Sequence, residues 1–168
     1  MHKKGHYGAT LLGYAPLGAV TLAVGFEAAA VAGGAVAVAL AMVPDLDMKI
    51  PGVSHRGVTH TVRFAFGIGA VIGTVAVSLA AVGGAPVAVA VGAGVFGFVT
   101  GAVAIGSHIA ADALTPMGVE PFGADGPHYS LDLVRAANPI ANYVLLVAGA
   151  VAVSLAWIVG SAVAGVVV

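Results

Sequence analysis

The chain has no cysteine and very little charge: of its 168 residues, only 8% are Asp, Glu, Lys or Arg. Without cysteine there can be no disulfide, no thiolate metal site and no cysteine nucleophile. Soluble domains carry about 25% charged residues, and thirteen charged side chains cannot clothe a water-facing surface of this size. That scarcity excludes a soluble enzyme and a disordered chain. The net charge of −1 leaves no basic surplus for a phosphate backbone, which excludes a nucleic-acid binder. Apolar residues, at 60%, and glycine, at 25 positions, are what the chain has in quantity. This is the composition of an integral membrane protein, and the length is that of one domain, residues 1–168.

The spacing of the few charges predicts the spans. Uncharged runs of 22, 17 and 48 residues lie between Lys4 and Glu27, Glu27 and Asp45, and Arg63 and Asp112, and a run of 33 follows Arg135. A spanning helix needs about 20 apolar residues, so the 48-residue run, broken by Gly83-Gly84-Ala85-Pro86, makes two helices. The reading is an all-α polytopic bundle of about five transmembrane helices, at 8–25, 28–44, 61–82, 86–113 and 140–167. Lys3-Lys4, the apolar run after them and Ala28-Ala29-Ala30 also have the parts of a signal peptide; we expect a retained first span instead. The glycine pairs Gly69/Gly73 and Gly97/Gly101 have the spacing that suits close helix packing in lipid.

Threading five spans up and down puts the N-terminus and the 45–60 and 114–139 loops on one side. All six Lys and Arg, all six histidines and every acid except Glu27 fall there. The positive-inside rule makes that side cytoplasmic, with the C-terminus opposite, in a multi-pass inner or plasma membrane protein.

Four segments bring metal-type side chains to that side: His6, Pro44-Asp45-Leu46-Asp47, His55-Arg56-Gly57-Val58-Thr59-His60, and Ser107-His108-Ile109-Ala110-Ala111-Asp112. Residues i and i+4 share a helix face, so His108 and Asp112 can meet one ion. Ionisable groups directly after a long apolar helix are costly and mark function. His6, Asp45, Asp47, His55, His60, His108 and Asp112 exceed the three or four ligands of a single catalytic zinc and suit two divalent ions, Zn²⁺ or Mn²⁺ foremost. Arg56 lies between two of these candidates, and its guanidinium suits a phosphate oxygen. His-Glu-x-x-His, Gly-x-Ser-x-Gly and Walker signatures are missing. The residues therefore point to metal-dependent hydrolysis of a phosphoester at the membrane surface.

Gly5-His6, Pro44-Asp45-Leu46-Asp47, His55-Arg56-Gly57-Val58-Thr59-His60-Thr61 and Ser107-His108-Ile109-Ala110-Ala111-Asp112-Ala113-Leu114-Thr115-Pro116-Met117-Gly118 resemble, over roughly residues 5–142, the membrane-bound metal-dependent hydrolase family named for YdjM. That family is also described as LexA-binding or LexA-regulated inner-membrane hydrolases, although no residue here encodes a LexA link. The resemblance implies a multi-helix membrane hydrolase with bound divalent metal. A looser similarity to zinc-dependent phospholipase C implies Asp112 as a carboxylate bridging two metals, with Asp47, His60 and His108 on one and His6 on the other.

The 116–139 loop has the length of a lid or substrate-shaping element, and Asn138, just before the fifth helix, is its candidate ligand or phosphate contact. The expected partners are membrane lipids and a lipid or lipid-linked phosphoester or pyrophosphate substrate. The competing readings are a metal-ion transporter or channel, and a non-catalytic, metal-stabilised scaffold. Transporters place coupling residues near the midplane, within inverted repeats. Here the polar residues sit at one helix-end level.

Overall fold

The computed structural model describes residues 1–167. Five α-helices follow one another: α1 (Lys3–Ala23), α2 (Glu27–Leu40), α3 (Val62–Val82), α4 (Val87–Ala113) and α5 (Pro139–Val167). Two 3₁₀ turns, Pro44–Lys49 and Val58–His60, lie between α2 and α3. No strand is present among the described residues, only one isolated antiparallel bridge, Val119 to Tyr129. The fold is the expected all-helical membrane bundle, and the helix boundaries differ from the charge-free runs by a few residues.

Four of the spans, Glu27–Lys49, Val62–Val82, Val87–Ala113 and Pro139–Val166, are long and apolar enough to cross a membrane. Helix α1 is not among them, and its packing explains why. It touches α2, α4 and α5 and buries His6, Thr10, Tyr14 and Thr21 among its neighbours. A helix surrounded by protein has less lipid to satisfy, so it tolerates polar side chains that find partners inside. The buried Tyr14 hydroxyl donates to the Ala30 carbonyl of α2 at 2.6 Å, which satisfies the phenol and ties the two helices.

The helices approach through glycine. A Cβ at Gly101 would lie 2.9 Å from the Cα of Gly69, and one at Gly97 would lie 3.2 Å from that of Gly73. The two pairs singled out by spacing thus face each other across the antiparallel α3/α4 contact, as small-residue packing in lipid requires. Helices α1 and α5 run parallel: Gly5 faces Asn142, Gly8 sits on the backbone of Leu145, and Gly160 faces Ala19.

All the polar segments therefore collect at one end, formed by the starts of α1, α3 and α5 and the finishes of α2 and α4. Two small apolar clusters support that end. One joins Ala65, Ile105, Ile109 and Val119, and the other joins Tyr14, Ala37 and Ala104.

Candidate metal centre

The first ligand-bearing segment arises where α2 stops. Pro44 has no N–H and cannot continue the α-helical ladder. The chain tightens beforehand, with Ala41 N–H donating to Val38 O and Val43 N–H to Leu40 O. The Ala41 carbonyl accepts instead from Nδ1 of His108 at 2.7 Å. That bond fixes the His108 tautomer and turns its Nε2 lone pair inward. The 3₁₀ turn that follows, with about three residues per turn, points Asp45 and Asp47 in different directions.

His60 sits between these two carboxylates. Its Nε2 faces Asp45 Oδ1 at 3.6 Å and Asp112 Oδ2 at 3.4 Å, while its Nδ1 faces Asp47 Oδ2 at 3.5 Å. Thr61 holds the segment in place, donating to Val58 O at 2.8 Å and accepting from Phe64 N–H as the cap of α3. Burial pulls the His60 imidazole pKa down, but its hydrogen bonds to Asp112 and Asp45 and the charges of Asp112 and Asp47 outweigh that, leaving it above the ordinary histidine value.

His108 and Asp112, one turn apart on α4, share a face as the i, i+4 spacing requires, 3.6 Å between Nε2 and Oδ2. His108 Nε2 is also 3.3 Å from Asp45 Oδ1 and 3.2 Å from His60 Nε2. Around a four-coordinate ion with bonds of about 2.0–2.1 Å, neighbouring donors are separated by about 3.3–3.4 Å. Five of the six separations among His60 Nε2, His108 Nε2, Asp45 Oδ1 and Asp112 Oδ2, all those that involve an imidazole, run from 3.2 to 3.6 Å. Imidazole nitrogen and carboxylate oxygen at that spacing can hold a divalent ion.

The other oxygens of the same two carboxylates face His6. Its Nε2 lies 3.9 Å from Asp45 Oδ2 and 3.5 Å from Asp112 Oδ1. The His6 ring stacks on His108, centroids 3.7 Å apart. His6 Nε2 donates to the Met1 carbonyl at 2.9 Å, while its buried Nδ1 has no partner among the described residues. The tautomer that frees Nε2 moves the proton to Nδ1 and breaks no bond there. Two groups of side chains thus have metal-ligand geometry, His6/Asp45/His108/Asp112 and Asp45/His55/His60, with Asp45 common to both.

Two cations offset the buried carboxylates. Arg56 Nη2 donates to Asp112 Oδ1 at 2.9 Å and Nη1 to Gly118 O at 2.6 Å. The Met1 ammonium also pairs with Asp112. Arg56 adopts a left-handed φ of 61°, a conformation uncommon for a residue other than glycine. Its N–H donates to Asp47 Oδ2 at 3.2 Å, and its guanidinium bonds hold the other end.

His6, Asp45, His55, Arg56, His60, His108 and Asp112 are brought together from four segments. Asp47 arrives on the outer side of the cluster. It accepts from His55 Nδ1 at 2.9 Å, from Thr59 Oγ1 at 2.6 Å and from Arg56 N–H, and lies behind His60. Asn138 is not brought in. Its side-chain oxygen accepts from Ala141 N–H at 3.2 Å in the first turn of α5, the work of a helix cap. Three residues without an assigned role in the sequence also support the site: Thr59, Thr115, whose hydroxyl accepts from Arg56 Nη1 at 3.3 Å, and the buried Asn142. Asn142 accepts from His2 N–H at 2.9 Å and donates to the Ala136 and Asn138 carbonyls. A lone amide inside an apolar run was the available signal for it. The 116–139 loop is tied down by the Val119–Tyr129 bridge and by Leu131 and Leu133 N–H groups donating to the Ala113 and Leu114 carbonyls.

No curated protein and no solved structure matches the chain. A family model described as YdjM inner membrane protein matches residues 1–168. With an all-helical bundle, four spans apolar enough to cross a bilayer and a match along its whole length, the chain belongs to the YdjM inner membrane protein family.

Proposed function

We propose that this membrane protein is a metal-dependent hydrolase, cleaving a phosphoester or pyrophosphate of a lipid or lipid-linked substrate at the membrane surface. The observation that carries the reading is the geometry of Asp45 and Asp112. Each turns one oxygen toward the His60/His108 pair and the other toward His6. Two carboxylates so placed suit two divalent ions, one held by His60 and His108 and one by His6. The second has fewer protein ligands, and the Met1 ammonium on Asp112 and the Met1 carbonyl on His6 mark where water or substrate would have to enter. Bound there, divalent ions would supply an acidified water and a clamp on phosphoryl oxygens.

The residues of the chain do the rest. Asp47 orients His60 through Thr59, whose Oγ1 donates to Asp47 at 2.6 Å and meets His60 Nδ1 at 3.0 Å, an outer-shell carboxylate behind a metal-binding histidine. Arg56 positions Asp112 and offsets its charge. Asp45 is the most accessible of the inner group, 12% exposed against 1% for Asp112, so substrate arrives from its side. By the positive-inside rule this end of the bundle is cytoplasmic. Ion transport draws less support. Toward the other end, a cavity of about 760 Å³ is lined by aliphatic residues, glycine and phenylalanine, with Thr21 and Thr100 as its polar members.

The test is hydrolysis by the purified chain with Zn²⁺ or Mn²⁺, read as phosphate or headgroup release from lipid phosphoesters, beside metal content per chain. About two ions per chain with turnover is the expected result. Metal flux into proteoliposomes without hydrolysis would replace this reading with transport.

Two further results are expected. Asp47→Ala should weaken metal affinity or turnover by about 10–100-fold while leaving ions bound, the effect of losing an outer partner; a titration of the variant with Zn²⁺ measures it. Metal affinity should also rise with pH. His60 holds a proton more tightly than an ordinary histidine, and an ion must displace it. Affinity then falls as pH drops through that raised pKa and levels off above it, which calorimetry across a pH series would show.

A further inference from the structure

Beside the candidate metal centre lies a second feature that the centre does not use. A cavity of about 500 Å³ opens between the start of α1, the Pro44–Lys49 turn and the start of α5. Asp45 forms one wall, so the cavity adjoins the group shared by both sets of ligand candidates. His2, Lys3 and Lys4 form the opposite rim, all exposed. Met48 and Tyr143 complete it with apolar and aromatic surface, 61% and 50% exposed. Lys4 Nζ donates to the Tyr143 hydroxyl, and its ammonium lies 4.0 Å from a Tyr143 ring centroid.

This placement of charge opposes the local field. The first turn of α1 contains two lysines and no acid, whereas the dipole of a helix N-terminus disfavours cations. Apolar surface adjoins the cavity along α5. On the face of α5 that carries Tyr143, Ile140, Val147 and Val151 are exposed, an apolar track running away from the rim. A molecule whose anionic end meets the lysines has a dry path for its hydrocarbon along α5.

We infer that this groove is the recognition subsite for the phosphate-bearing headgroup of a membrane lipid, holding it beside Asp45 while its chains lie along α5. The inference rests on the proposed hydrolase reading for its consequence, since it names the substrate class of that site. The recognition itself stands on the groove. Lys3 and Lys4 give the phosphate its charge partners, and Tyr143 fixes Lys4 toward the cavity.

The test uses the full chain in detergent, with dioleoyl phosphatidic acid as probe, dioleoyl phosphatidylcholine as the zwitterionic lipid and inorganic phosphate as the chainless anion. Retention is read by native mass spectrometry, and metal content is measured on the same samples. Phosphatidic acid should be retained at least tenfold better than phosphatidylcholine, with inorganic phosphate weaker than either lipid. K3Q/K4Q should remove that preference and leave metal content unchanged. K49Q/R63Q, which removes the same charge from exposed positions elsewhere on this end, should keep it. Equal losses in the two double variants, or no preference in the unaltered chain, would overturn the groove whether or not metal is bound. Retention of inorganic phosphate alone would replace the lipid with a free anion. A chain that prefers phosphatidic acid through Lys3 and Lys4 but binds no metal would overturn the hydrolase reading and leave the groove standing.

Discussion

Asp112→Ala is expected to empty the centre of divalent ions and to lower phosphoester hydrolysis by more than 100-fold. The size follows from position. Losing an outer partner of a metal ligand costs about 10–100-fold, and Asp112 stands inside, within 3.6 Å of His6, His60 and His108 at once. It is also the acceptor for Arg56 and for the Met1 ammonium. Removing one member of a buried ion pair leaves its partner uncompensated, at about 3–5 kcal/mol, so the alanine variant risks unfolding. Asp112→Asn preserves the volume and the acceptor for Arg56 while removing the charge. It should stay folded by size-exclusion chromatography and thermal melting, and still lose metal and turnover. Full activity in Asp112→Asn would remove Asp112 from the chemistry.

Gly8→Leu should be the most destructive change outside the polar end. A Cβ at Gly8 would run into the backbone of Leu145 and Leu146, and one at Gly149 into the Gly8 carbonyl. Backbone cannot rotate away as a side chain can. The added atoms must force α1 and α5 apart, at about 3 kcal/mol or more, the upper range for overpacking. Because His6 is on the same helix half a turn earlier, the displacement should also lower metal affinity without touching a ligand. Thermal melting with a parallel Zn²⁺ titration would read both effects. Gly67→Ala in α3, where an added Cβ meets nothing within 4 Å, is the matched control and should melt no lower than the parent. Equal melting temperatures for the two variants would show that the α1/α5 contact is looser than described.

Much of this was readable from residue order. Charge-free runs marked the helices because lipid admits few ionisable groups, and the same scarcity made every remaining His and Asp conspicuous. The i, i+4 pair His108/Asp112 needed only helical geometry. Asp47 could not be placed that way. Its separation from Asp45 is set by a 3₁₀ turn, and a sequence does not display which side of that turn faces His60. Asn138, polar and near the site, is in sequence a candidate ligand or phosphate contact; capping α5 uses the same carbonyl oxygen, and only coordinates separate the roles. Helix α1 was the subtler case. Hydropathy alone reports lipid contact, so a helix enclosed by α2, α4 and α5 has the apolar length of a span without its full apolar character. The Lys3–Lys4 pair, which in sequence counts only among the charges that set the positive side, acquires a cavity to face once α5 is laid beside α1.

The chain order of the converging segments sets when the centre can exist. His6 is made first, on α1, and Asp112 last, near the end of α4, with α2 and α3 between them. While the earlier helices enter the membrane, His6, Asp45 and His60 have no fourth segment to meet. The cluster closes only once α4 has been inserted against α1. An ion captured at that moment would fasten the first helix to the fourth, and its loading would record that four helices have reached their places. The sixth residue of the chain waits, in effect, for the hundred and twelfth before it has a purpose.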